Sequence, residues 1–227
     1  MTAGDRFHRV ALAALLVLYV GLAVAYSLAN PLYEGPDELR HVRYVRHISE
    51  YRGLPVQTDE GPRAQSHHPP LYYALGALVS AWVPVEEDVY YQPRENPFWA
   101  YRYWEVGSDN KNQYVHGPYT SRGLLPLPRL QGIALLVYVV RWLTVMMGTA
   151  VVWLTYRIGL RVFPRRPSLA LAGTALVAFN PQFLYLSGAV NNDVPAAVWG
   201  AAVLLVCLYV AQDGLSRRGS LKLGLLF

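Results

Sequence analysis

The chain of 227 residues has one cysteine, Cys207, and it lies inside an apolar run. No intrachain disulfide can form, so packing and hydrogen bonding must hold the fold. Lysine is almost missing: of 20 basic residues only Lys111 and Lys222 are not arginine, a compositional bias rather than a functional signal. No nucleic-acid motif and no internal repeat is present, and the net charge of +5 informs topology, not nucleic-acid binding. A nucleic-acid partner is therefore not expected. No small-residue cleavage site follows the first apolar run, which is also too long for the core of a signal peptide. The later apolar runs contain few polar residues, which argues against a solute path through them.

What the chain does have is hydrophobic residues, 53% of the total, gathered into long runs as in a polytopic membrane protein. Val10–Ala29, Trp142–Phe163, Leu169–Leu186 and Val194–Ala211 each come near the ~20 residues needed to cross a bilayer. The expected fold is all-α, with about four transmembrane helices and a truncated fifth beginning in LKLGLLF at the carboxy terminus. Residues 1–29 read as a cytoplasmic tail and helix one, and residues 30–141 as an extracytoplasmic loop containing amphipathic and interfacial helices. Residues 142–227 read as helices two to four and the start of the fifth. Such a chain is an amino-terminal module or a truncated product. Arg157, Arg161, Arg165 and Arg166, with Arg217, Arg218 and Lys222, mark the cytoplasmic side, and Arg6 and Arg9 agree. The amino terminus is then cytoplasmic, the first loop lies outside, and the location is the inner (plasma) membrane.

The polar residues of interest share the outer face. Leu39, Val42, Val45, Ile48 and Tyr51 recur at helical spacing against Arg40, Arg43, His47 and Glu50, predicting an amphipathic helix at the membrane interface. Gly35 and Pro36 suit its cap and first position, which puts Asp37 and Glu38 in its first turn; the helix dipole alone would favour acids there. Ser66–Val83 holds a double proline before an apolar segment of about fourteen residues, short for a span and suited to an interfacial or re-entrant helix. His67 and His68 precede it, either as phosphate or metal partners or as plain interfacial polar residues. The aromatics between Pro84 and Pro128, Trp99, Tyr101 and Trp104 among them, fit the membrane interface better than a sugar platform. Leu124–Val140 is expected to return along the interface. Arg141 would then sit at the outer end of helix two, snorkelling or gripping a lipid phosphate. Between helices three and four, Asn191, Asn192 and Asp193 form either a turn or one wall of a polar cavity shared with Asp37, Glu38, His67 and His68.

DELR from Asp37, HPPLYY from His68, RWLTVMMG from Arg141 and NPQFLYLSGAVNND from Asn180 together resemble the GT-C class of membrane glycosyltransferases. The protein O-mannosyltransferase and aminoarabinose transferase groups, with related bacterial membrane proteins, are the nearest in pattern. The resemblance implies transfer of a sugar from a polyprenyl phosphate donor to an acceptor on the extracytoplasmic face. It implies Asp37 as general base on the acceptor, Glu38 assisting or orienting it, and Arg40 on the donor phosphate, with His67, His68 and Arg141 as further phosphate contacts. The aminoarabinose transferases carry a lysine where His68 stands and an acidic residue where His67 stands. Asn191, Asn192 and Asp193 would support the site. A divalent cation is a candidate cofactor with Asp37, His68 and Asp193 as candidate ligands, although two acids and two amides select no metal. Expected partners are the lipid-linked sugar donor, membrane lipid and, in the alternative reading, other membrane protein subunits. That alternative is a non-catalytic small subunit of a larger membrane complex, derived from a truncated GT-C module.

Overall fold

The computed structural model describes residues 3–56, 64–97, 113–115 and 130–214. Among them the secondary structure is helical: α1 (Ala3–Ala29), α2 (Glu38–Tyr51), α3 (Leu71–Ser80), α4 (Gly132–Val162), α5 (Pro167–Ala178), α6 (Pro181–Ser187) and α7 (Asp193–Asp213). One isolated antiparallel bridge joins Glu95 to Tyr114. Trp99, Tyr101, Trp104, the 124–129 stretch, Arg217, Arg218, Lys222 and the expected fifth helix lie outside the described residues.

By length and composition three helices can cross a bilayer: Arg6–Ala29, Gly132–Val162 and Asp193–Asp213. The pair α5 and α6 makes a fourth if the two, bent by 63°, form one span. The sequence predicts that pair as one continuous helix. The break has a local cause: Pro181 disfavours helical backbone at Asn180, whose φ of −66° and ψ of 121° are extended. The Asn180 side chain then accepts from the Phe183 N–H at 3.1 Å, capping a new helix with proline at its first position. The second correction concerns α4, which begins at Gly132 and not at Trp142. Its first turns take in residues expected to run along the interface.

The chain divides into two compact units, one of residues 1–27, 144–188 and 192–227, the other of residues 28–143 and 189–191. The first holds an apolar core of Leu15, Tyr19 and Ala23 on α1 with Val145 and Val152 on α4, Ala178 on α5 and Leu184 on α6. Residues 15, 19 and 23 recur every four positions, so they form one stripe of α1. Inside this core the Tyr19 hydroxyl donates to Ser187 Oγ at 2.6 Å, so a phenol among apolar side chains keeps a partner. Gly148 makes that contact possible, because a β-carbon there would collide with both the Tyr19 hydroxyl and Ser187 Oγ. At the far end of α4, Arg161 pairs with Asp213 at 3.0 Å and lies 3.6 Å over the Tyr209 ring.

The second unit is built on α2 and α3 packed side by side in the same direction, His41 meeting Tyr73 near their starts and Val45 meeting Gly76 further along. Tyr44 stacks on Tyr73 with centroids 4.0 Å apart; of the predicted apolar face Leu39, Val42 and Val45 are buried, whereas Tyr51 is exposed. Its polar face differs from expectation at Arg43, which is buried, and Arg46 beside it is buried too. Arg43 donates to Tyr91 O at 3.1 Å and Gln92 Oε1 at 2.6 Å, and Arg46 to Glu87 O at 2.7 Å. The 87–92 loop therefore lies over the face predicted to meet solvent and headgroups.

Candidate functional site

Asp37 opens the site by an unusual backbone choice. It caps α2 in the left-handed region, φ 54°, a conformation that Asp tolerates better than most side chains. Its carbonyl accepts from the N–H groups of Arg40 and His41 at 2.9 and 3.1 Å, while its side chain stays exposed. Four residues earlier Tyr33 is also left-handed, φ 68°, a rare state for a bulky residue. Backbone held this way costs of order 1–3 kcal/mol per residue, so the surroundings must over-determine it.

They do so through Glu38 and Arg141, both fully buried. Arg141 Nε donates to Glu38 Oε1 at 2.8 Å and Nη2 to Oε2 at 2.6 Å, a bidentate pair. Each carboxylate oxygen takes one further bond, Oε2 from the Tyr33 N–H at 2.9 Å and Oε1 from the Val190 N–H at 2.8 Å. Arg141 in turn donates to the carbonyls of Asn30 at 2.7 Å and Pro31 at 3.0 Å. One ion pair thus ties the 30–38 loop to α4 and to the 189–191 segment. Gly35 permits this closeness, since a β-carbon there would stand 3.1 Å from that of Ala189.

Glu34 acts on the other side of the loop. Its two carboxylate oxygens accept from the N–H groups of Gln113 and Tyr114, each at 3.0 Å, and Tyr33 meets Tyr114 edge to face with centroids 6.2 Å apart. The result is a cavity of about 340 Å³ whose lining includes Tyr33, Asp37, Arg40, Arg43, Gln92 and Tyr114. Asp37 and Arg40 approach to 3.4 Å, both about half exposed, a contact worth ~0–1 kcal/mol and easily given up to a ligand. Burial pushes the Arg43 guanidinium below its ordinary value and the Tyr114 phenol above its own. At neutral pH the phenol is thus a neutral donor. One exposed carboxylate and two guanidiniums in one cavity can take a proton from a hydroxyl and hold a phosphate.

The residues singled out in the sequence separate into five groups. Asp37, Glu38 and Arg40 share this cavity. Arg141, expected at the outer end of a helix, lies nine residues inside α4 and its guanidinium is spent on Glu38 and two carbonyls. His67 and His68 are absent from the cavity lining and meet at a tilt with ring centroids 4.2 Å apart, His68 likewise tilted to His41 at 5.6 Å. His41 Nδ1 is 2.7 Å from the Tyr73 hydroxyl. Burial, aided by the charge of His68, pushes the His41 imidazole down to about 4. Asn191 is buried, with Nδ2 donating to Ala189 O at 3.1 Å, which is a turn contact. Asn192 and Asp193 belong to the other unit, where Asn192 caps α7 and Asp193 stands in its first turn, as the dipole favours.

Among the described residues no group of three or more His, Cys, Asp and Glu is placed to hold a metal ion. Sequence reasoning missed Glu34, Arg43, Gln92 and Tyr114. Only the Arg43 side of α2 carried a signal, and periodicity assigned it to solvent. No family model, curated protein or solved structure matches the chain.

Proposed function

We propose that the protein is a membrane glycosyltransferase of GT-C type, moving a sugar from a polyprenyl phosphate donor to an acceptor hydroxyl at the extracytoplasmic face of the inner membrane. The observation that carries this reading is the exposed carboxylate of Asp37 beside Arg40 and Arg43 in one cavity. Asp37 takes the acceptor proton as the acceptor oxygen bonds to the anomeric carbon. The bond from that carbon to the donor phosphate breaks, and its electron pair leaves with the phosphate, where Arg40 and Arg43 meet the added charge. Glu38 and Arg141 act as positioning residues, holding Asp37 in its strained conformation.

The test is transfer from a polyprenyl phosphate sugar by the purified chain in lipid. Asp37→Asn should abolish transfer and leave folding intact, because Asn is at ease in left-handed backbone; normal activity in that variant would sink the assignment. Arg40→Gln should weaken donor binding, seen as a raised KM. A second reading, a non-catalytic subunit of a larger membrane complex, is favoured by one observation: the ion pair that shapes the cavity is fully satisfied by protein groups alone. That reading requires a stoichiometric membrane partner on gentle purification, and its absence would count against it.

A further inference from the structure

A second concavity lies at the opposite end of α2. It measures about 450 Å³ and is lined by Ile48, Ser49 and Arg52 with Ala74, Ala77 and Leu78 among others. It starts roughly 12 Å along the helix axis from Arg40 and shares no residue with the Asp37 cavity. Three features of it are unusual. Ser49 Oγ is buried without a hydrogen-bond partner, and buried hydroxyls in native proteins are nearly always paired. Arg52 takes left-handed backbone, φ 54°, at the end of α2, a place where glycine is usual and where Gly53 follows directly. The outward stripe of α3 is wholly apolar, with Leu71 51% and Leu78 71% exposed, and Trp82, 65% exposed, follows just past the helix end. The Trp82 indole donates to Val79 O of that helix, so the stripe offers no polar edge.

We infer that this groove binds an anionic phospholipid, one acyl chain lying along Ala74, Ala77 and Leu78, the phosphate on Arg52 and a glycerol ester oxygen accepting from Ser49. The alanines leave room for a chain, the cation stands at one end only, and the groove lining contains no acid. A docked protein helix would not explain an unpaired hydroxyl beside a lone guanidinium. A zwitterionic lipid would place its own cation against Arg52. The inference stands apart from the catalytic reading: Asp37→Asn should leave lipid binding unchanged.

The experiment is native mass spectrometry of the full chain, delipidated and titrated with phosphatidylglycerol or phosphatidylcholine. Phosphatidylglycerol should bind tighter by about tenfold, the scale of one charge-assisted contact. Arg52→Gly removes the cation while relieving the strained backbone, so it should erase that preference with the melting temperature unchanged or higher. Ala74→Phe fills the groove and should reduce binding of both lipids while Arg52 remains. Equal affinity for the two lipids in the unaltered chain, or retention of the preference in Arg52→Gly, would overturn the proposal. So would a second copy or another protein, rather than lipid, being displaced by Ala74→Phe.

Discussion

The two units of the molecule solve the same problem with different chemistry. In the apolar unit, helices approach closely because the contact positions are small: Gly148 lies under Tyr19, and Gly159 faces Ala170, which a β-carbon would meet at 2.8 Å. Its few internal polar contacts, such as Tyr19 to Ser187, each satisfy one hydroxyl. In the unit around α2 an irregular loop with two left-handed non-glycine residues is fixed by a charge pair, and loss of either charge exposes several groups at once. Dispersion and small residues suffice where backbone is helical, because helices satisfy their own polar groups. An irregular loop presents bare N–H and C=O groups, and here a buried carboxylate and guanidinium supply their partners.

The largest effects should come from breaking that pair. Glu38→Gln or Arg141→Leu leaves one buried charge uncompensated, at a cost of about 3–5 kcal/mol. Thermal melts or expression of folded protein should show it. A plain buried ion pair can often be replaced by two apolar residues at little cost. This one should not be: Glu38→Leu with Arg141→Leu also strands the Tyr33 and Val190 N–H groups and the Asn30 and Pro31 carbonyls, each worth about 1–3 kcal/mol when buried unpaired. A stable double variant would show that the ion pair is incidental to the loop.

Next in size is the pH response of the same unit. His41 is buried and titrates near 4 when folded against 6.5 ordinarily, so between these values the unfolded chain binds more protons. Stability is complete above pH 6.5, falls as the pH drops through this window and levels near 4, a loss of about 3 kcal/mol at most. The charges that act on His41 are His68, Asp37, Glu38 and His67. His41→Phe keeps the stack on Tyr73 and should flatten the melting temperature between pH 7 and 4.5. An unchanged slope would assign the response to other groups. In the apolar unit, Gly148→Ala should cost about 1–3 kcal/mol by overpacking, and pairing it with Tyr19→Phe should recover part of that loss.

This contrast also explains what the sequence made legible. The four apolar segments and α2 announce themselves by run length and by a repeat of 3.6, both properties of neighbouring residues; each is helical, though one is the broken pair α5 and α6 and another starts ten residues early. Asp37, Glu38 and Arg40 share a cavity because one helix turn places them together. The rest of the site depends on separations no local pattern carries: Glu38 to Arg141, Glu34 to Tyr114 and Arg43 to Gln92. Amphipathicity assigned Arg43 to the outside because it cannot foresee a loop folding over a polar face. Arg141 is misplaced by ten residues of helix because a charged residue reads as the edge of a span, although the apolar residues 133–140 before it belong to the same helix.

The smallest effect concerns the one break in the apolar unit that was readable but not read. Asn180 followed by Pro181 is a capping residue and a first-turn proline, and it divides a segment whose hydropathy alone suggests a single span. α6 has only 7 residues, too few to persist by helix propensity, so its cap and the packing of Leu184 must hold it. Asn180→Ala should cost about 1 kcal/mol, the usual value of such a cap. Asn180→Ser should restore most of it by accepting the same Phe183 N–H. Replacing both residues, Asn180→Ala with Pro181→Ala, allows α5 and α6 to join, and straightening would draw Leu184 and Ser187 away from α1. A distance measured between spin labels at Leu176 and Tyr185 distinguishes the outcomes: lengthening in the double variant shows that the sequence imposes the 63° bend, and an unchanged distance shows that packing against α1 imposes it.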